Sequence, residues 1–293
     1  MRSRGWIVWA FMAPVLLVMA IIVFYPLAVG VFQTFTNIDS TNQGTRFKPP
    51  SWEFVGLQNY IDILTGEETK FYPVLIWTVI WTVVNVFFHY TLGLFLALTL
   101  NQKFRGRTSY RMILLLPWAV PAYITAISWL FIFNGEYGLL NNILGVFGIP
   151  AVPWLSTWPW YYIMPIIVNV WLGIPFMMVV LLGGLQSIPG DLYEAAQMDG
   201  ATPRQSFWNI TLPQLKSVST TVILLGCIWT FNIFVVIFFI TGGGPGGKTE
   251  ILVTYTYNGF TLGQYAIAAT YGVLIFSLLL VFSSIYRRLA RES

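Results

Sequence analysis

Six apolar stretches dominate this sequence, and none of them holds an Asp, Glu, Lys or Arg. They run from Trp6 to about Phe35, Val74 to Leu100, Met112 to Phe133, Tyr162 to Leu185, Thr220 to Ile240 and Tyr265 to Ser284. Each has roughly the 20 residues an α-helix needs to cross a bilayer. Backbone amides in hydrocarbon must be satisfied within their own segment, so helices are the expected form. Composition agrees: 57% of residues are hydrophobic and 9% charged, against about 25% charged in soluble domains. The expected fold class is all-α, a polytopic membrane protein with six transmembrane helices. Residues 1–73 would form one helix and an external loop, and residues 74–293 a core of five helices. A cleaved signal is the competing explanation of the first stretch. The stretch is too long for one and no small-residue cleavage site follows, so a retained span is expected.

Lysine and arginine distribution sets the orientation. One side collects Arg2, Arg4, Lys103, Arg105, Arg107, Arg111, Arg204, Lys216, Arg287, Arg288 and Arg291, and the other Arg46, Lys48, Lys70 and Lys248. Eleven against four puts both termini and the loop after the fourth span in the cytoplasm. The net charge of +4 is spread over these loops and gives no patch for nucleic acid. The single cysteine, Cys227, and single histidine, His89, lie in apolar runs. No internal disulfide can form and no metal site is implied. His89 is expected to pack or to bond between helices.

The polar loop 191–213, DLYEAAQMDGATPRQSFWNITLP, reads as two short helices joined at a bend. Asp191 is placed to cap the first, with Glu194 completing a capping box. Gly200 suits a left-handed stop. Thr202 caps the second helix, Pro203 takes its first position, Gln205 closes a second box, and Pro213 is expected to end it.

Two features bear on cargo. A proton- or sodium-driven carrier usually keeps ionisable groups inside the membrane; their absence points to a neutral solute and an outside energy source. Aromatic rings and small polar groups punctuate the later spans, a combination suited to a sugar's apolar face and hydroxyl rim. Aromatics make up 17% of the chain, and Trp52, Trp154 and Trp158 are assigned to interface belts and packing. In the fourth span Asn169, Leu172 or Gly173, and Phe176 share one helical face. Pro175 beside Gly173 marks either a break lining a cavity or a simple kink.

Glu194-Ala195-Ala196, then Gly200, then Ile210-Thr211-Leu212-Pro213, with three and nine residues between them, resembles the EAA loop of binding-protein-dependent ABC importer permeases. LPWAVPA at 116–122, NVWLGIPF at 169–176, WTFNIFVV at 229–236 and TGGGP at 241–245 extend the resemblance from about Val74 onward. The sequence looks like a carbohydrate importer permease of type I (MetI-like) architecture, most similar to the larger membrane subunit of maltose/maltodextrin importers. The resemblance implies ATPase coupling through Glu194, Ala195, Ala196, Asp199, Gly200, Leu212 and Pro213. It implies a mid-membrane sugar site at Trp118, Ala122, Asn169, Leu172, Gly173, Phe176, Trp229, Thr230 and Ile233. Trp118, Ala122, Phe176, Thr230 and Ile233 replace the Tyr, Ser, Tyr, Asn and Asn usual there, which makes this site less polar. The additional N-terminal spans and large external domain of some members have no counterpart in the sequence.

The implied partners are a second homologous permease subunit, two copies of an ABC ATPase, an extracytoplasmic sugar-binding protein, the sugar and membrane lipid, in the inner membrane of a prokaryote. No cofactor and no catalytic residue is expected. The alternatives are another sugar, glycerol 3-phosphate, or a stand-alone channel or facilitator. The last would have no use for the coupling loop. A membrane-embedded enzyme would need clustered ionisable residues. One motif is a decoy: residues 242–249, GGGPGGKT, fit the phosphate-loop pattern letter for letter. That mechanism needs a preceding strand and ATP on the same side, whereas an apolar span precedes it here and the charge count puts it outside.

Overall fold

The computed structural model describes residues 5–66 and 70–292; Arg2 and Arg4 of the charge count lie outside them. Helices α1 (Gly5–Met19) and α2 (Tyr25–Gln33) are joined by a wide π-helical turn, Ala20–Phe24. Then come α3 (Gln58–Thr65), α4 (Phe71–Asn101), α5 (Arg107–Leu114), α6 (Leu116–Ala119), α7 (Ala122–Ile132), α8 (Leu139–Val146) and α9 (Trp160–Gln186). Helices α10 (Gly190–Met198) and α11 (Pro203–Ser206) precede a second π-helical turn, Phe207–Thr211. The chain closes with α12 (Leu212–Phe231), α13 (Phe234–Ile240), α14 (Leu252–Thr261) and α15 (Tyr265–Glu292). Among the described residues no strand forms; Thr36 and Phe54 make one isolated bridge.

Among the described residues, five helices are long and apolar enough to cross a membrane: Val8–Gln33, Phe71–Asn101, Trp160–Gln186, Pro203–Phe231 and Tyr265–Ala290. The third expected span is not one helix. It divides into α5, α6 and α7, and its apolar part, Ala122–Ile132, is only 11 residues long. Val120 is extended (φ −86°, ψ 132°), as the residue before a proline prefers. The fifth expected span, 220–240, is corrected too: helix runs from Pro203 to Phe231, breaks at Asn232–Ile233 and resumes as α13. The fourth span, where a break was one of two expectations, is continuous through both Pro165 and Pro175.

Pro213 does not stop its helix either. It sits in the first turn of α12, directly after the π-helical turn. The N-terminal span repeats this design, with Pro26 in the first turn of α2 after the turn Ala20–Phe24. A proline ring clashes with the carbonyl four residues back and cannot donate to it. One extra residue in the preceding turn shifts that carbonyl, so the helix widens instead of ending.

Contacts divide the chain into two compact units, residues 1–72 with 255–278, and residues 73–254 with 279–293. In the first, residues 8–29 are all exposed. The loop after α2 is fixed by Asn59 Nδ2, which donates to the Thr34 and Thr36 carbonyls at 2.8 Å each. Ser40 N donates to Gly263 O, and Ala266 N to Ile38 O.

The second unit holds two apolar cores. One joins Val86 and Leu94 of α4 to Met177 and Leu181 of α9 and to Leu215 and Val222 of α12. The other joins Trp81, Ala126, Met164, Val168, Val236 and Ile237 from α4, α7, α9 and α13. Trp154 belongs to this second core, with its indole N–H on Asn141 Oδ1 at 2.9 Å, whereas Trp158 is exposed.

Candidate functional site

A cavity of about 420 Å³ opens in the second unit between the two cores. All nine residues assigned from sequence to a sugar site line it: Trp118, Ala122, Asn169, Leu172, Gly173, Phe176, Trp229, Thr230 and Ile233. Two helix breaks bring them together. Trp118 and Ala122 flank the extended Val120–Pro121 step, and Thr230 and Ile233 flank the break at Asn232. Non-helical backbone at membrane depth is tolerated where it faces protein or a cavity, and the Ala119–Pro121 backbone does face this one.

Three rings line the cavity. Phe176 lies between Trp118, at 6.2 Å centroid to centroid, and Trp229, at 4.8 Å, both tilted. Trp118 and Trp229 are 59% and 52% exposed, so their faces are available to a solute. Asn169 is 3% exposed, and its Nδ2 has no hydrogen-bond partner among the described residues. A buried donor without a partner costs about 1–3 kcal/mol, which a hydroxyl acceptor in the cavity would offset. No Asp, Glu, Lys or Arg lines the space.

Sequence reasoning missed several lining groups, among them Val120, Pro121, Met177, Gly226 and His89. His89 makes the interhelical bond expected of it: its Nε2 donates to the Asn169 main-chain oxygen at 2.9 Å. Gly173 makes this contact possible, because a Cβ there would collide with the imidazole ring. Trp81 makes a second bond of this kind, donating from Nε1 to the Thr230 carbonyl of α12 at 3.1 Å. The spacing 81, 85, 89 on one helix was the available signal, since it puts polar side chains one turn apart on a single face.

The loop 191–213 forms a bent elbow. Helix α10 begins at Gly190 after Pro189, and Asp191 makes no capping bond. That corrects the first capping box: Pro189 holds the cap position, and Asp191 contributes only its charge near the positive helix end. The second half follows its local chemistry. Gly200 is left-handed (φ 80°), with Ala201 N donating to Ala196 O at 2.8 Å and Gly200 N to Gln197 O at 3.0 Å. This is a Schellman stop. Thr202 and Gln205 complete a capping box, with Pro203 in the first turn. Glu194, Ala195, Asp199, Gly200 and Pro213 are exposed, and Ala196 and Leu212 half-buried. Tyr193 Oη meets Thr211 Oγ1 at 2.9 Å and ties α10 to the turn before α12. These seven residues lie on one elbow, although Leu212 and Pro213 already belong to the long helix that runs on to the cavity.

The glycine-rich stretch 242–249 follows helix α13, not a strand. Its Thr249 hydroxyl is buried and occupied, donating to Gly244 O at 2.7 Å and meeting Thr241 Oγ1 at 2.8 Å. Lys248 Nζ lies over the Tyr161 ring at 5.8 Å. The threonine that a phosphate loop needs for its cation is therefore engaged in holding this loop's own fold.

The model of binding-protein-dependent transport system inner membrane components matches residues 89–292. The trehalose/maltose transport system permease protein MalF of Thermococcus litoralis is 41% identical over 242 residues, 83% of this chain and 81% of that relative. The galactooligosaccharides transport system permease protein GanP of Bacillus subtilis is 37% identical over 276 residues, 89% of this chain and 65% of that relative. The chain thus spans about two-thirds of the GanP length. Among solved structures, a chain of a bacterial ABC transporter that imports the acidic polysaccharide alginate superposes with a TM-score of 0.84 at 22% identity, covering 99% of this chain and 96% of that one. That likeness establishes the helical permease fold. With the family match over most of its length, the chain belongs to the binding-protein-dependent transport system inner membrane components.

Proposed function

We propose that this permease passes a neutral di- or oligosaccharide of the maltose/maltodextrin type through the cavity between Trp118, Asn169 and Trp229 by alternating access. The observation that carries this is the unpartnered Asn169 amide beside three aromatic rings, in a space without a charged side chain. Rings cover a sugar's apolar face while a single donor fixes a hydroxyl. The relative named for trehalose and maltose supports a glucose disaccharide. The one named for galactooligosaccharides supports a second neutral cargo. An anion such as glycerol 3-phosphate would want a cation in the wall.

Residues 74–293 are the permease core in this proposal. A second homologous permease subunit completes the path, an extracytoplasmic sugar-binding protein delivers the cargo, and two ATPase copies supply the energy. The ATPase meets the elbow, where Met198 is 89% exposed beside the coupling residues. Glu194 and the backbone bend at Gly200 transmit its closure, and Leu212 and Pro213 pass it into α12. The termini and the elbow are cytoplasmic. Uptake into vesicles holding the whole complex tests the cargo: a neutral α-linked glucose oligomer is taken up in preference to glycerol 3-phosphate, and preference for the phosphate overturns the proposal. A cysteine at Thr202 should be labelled only from the cytoplasm and one at Gly246 only from outside; the opposite pattern reverses the orientation.

A further inference from the structure

The polar face of α4 grips the backbone of residues that line the cavity. Trp81, Asn85 and His89 stand one turn apart on this buried helix face, at 0%, 0% and 4% exposure. Two of them donate to main-chain carbonyls of residues lining the cavity, Trp81 to Thr230 on α12 and His89 to Asn169 on α9. The Asn169 carbonyl lies inside α9, where a helical N–H ordinarily satisfies it, so the His89 bond is a second one. The Thr230 carbonyl lies in the last turn of α12, where carbonyls lack their helical partner; it accepts from Ile233 N at 3.3 Å as well as from Trp81. Each side chain ties its helix to α4. The His89 clamp also acts on one particular residue. It fixes the backbone of Asn169, a residue that lines the cavity and whose side-chain Nδ2 is buried without a partner. Gly173, one turn further on, is where the ring needs room, and no larger residue would admit it.

We infer that His89 is a positioning residue for sugar recognition: by donating from Nε2 to the Asn169 main-chain carbonyl, it holds the Asn169 amide in place at the cavity wall. Trp81 is its counterpart toward α12, and the pair ties both helices to α4 beside the cavity. This rests on the proposed sugar site and adds to it a residue that need not touch the cargo. A bond from a side chain to a backbone carbonyl can be kept by any residue presenting an N–H at the same reach. Gln meets that requirement and Leu does not. A residue that merely fills space has the opposite preference, because Leu fits an apolar helix interface better than an unsatisfied amide does.

The test is a double-mutant cycle in the complete complex, reconstituted with its binding protein and ATPase and probed with maltose. The half-saturating maltose concentration for stimulated ATP hydrolysis is measured for His89→Leu, His89→Gln, Asn169→Leu and His89→Leu/Asn169→Leu. Expected is a rise of about tenfold for each of His89→Leu and Asn169→Leu, and no further rise in the double variant. His89→Gln should stay within about threefold of the parent. Basal hydrolysis and recovery of the assembled complex report on folding independently of sugar recognition. If His89→Leu fails to assemble, the comparison of His89→Gln with His89→Ala, which removes the N–H without adding bulk, decides: Gln near the parent and Ala raised supports the inference, and both near the parent overturns it. If the effects of His89→Leu and Asn169→Leu multiply, His89 does not act through Asn169 and the inference fails while the sugar site stands. If Asn169→Leu by itself changes nothing, the sugar site fails and the inference with it.

Discussion

The cavity and the elbow are built by opposite means. The cavity gathers residues from four segments far apart in sequence. Its key amide is buried, and its shape depends on two helix breaks and on side chains of α4 that grip backbone carbonyls. The elbow is a single segment of 23 residues whose geometry is fixed by its own backbone and caps, and most of the residues proposed for coupling are exposed. A binding site inside a membrane protein needs rigidity from its neighbours, because an unsatisfied group there has no water to turn to. A docking element needs the reverse, a self-contained shape that a partner can grasp.

The largest effect that separates the two regions is expected at Gly200. Its φ of 80° costs a residue with a Cβ about 1–2 kcal/mol, yet a Cβ there meets nothing within 4 Å. Gly200→Leu should leave membrane insertion intact and nearly abolish uptake while ATP hydrolysis continues without regard to sugar. Gly200→Asn, which tolerates the left-handed region, should be the mildest replacement. Normal uptake and normal sugar-stimulated hydrolysis in Gly200→Leu proteoliposomes would remove the elbow's assigned role.

Asn169→Leu comes next and acts on the other region alone. Loss of the amide should lower sugar translocation by about tenfold or more, and co-purification with the ATPase should be unchanged because the elbow is untouched. Reduced ATPase assembly would show that cavity and elbow are not separable. Smaller effects are expected at Trp118 and Trp229, which offer ring area instead of a specific bond. Alanine at either should weaken apparent sugar affinity by about tenfold and phenylalanine by about threefold or less. Equal losses for both replacements would mean that the indoles do more than supply a flat face.

The same contrast explains what could be read from the sequence. The Thr202–Gln205 box and the Gly200 stop are contacts between near neighbours, and both form as their residues require. The first cap was misassigned because Pro189, outside the segment considered, holds that position instead. The prolines were decided by the backbone around each of them. Pro175 lies within an intact helix whose neighbour, His89, bonds the nearby Asn169 carbonyl, while Pro121 ends a helix because Val120 adopts the extended backbone a following proline favours. Pro213 and Pro26 are absorbed by π-helical turns. One residue type thus has three outcomes, and spacing along the chain does not distinguish them. The nine lining residues came from the resemblance to importer permeases; periodicity alone supplied only the Asn169–Phe176 face.

The most direct measurement asks whether a sugar occupies the cavity. Cys227, the single native cysteine, is half-buried and can be replaced by alanine. A cysteine is then placed at Ala122, a small half-buried position lining the cavity beside the Val120–Pro121 break. A second variant carries its cysteine at Thr202 in the elbow. In the assembled complex, maltose should slow thiol labelling at position 122 several-fold and leave position 202 unchanged. Labelling at 122 that proceeds at the same rate with and without maltose, while the complex still transports it, would place the sugar's path elsewhere.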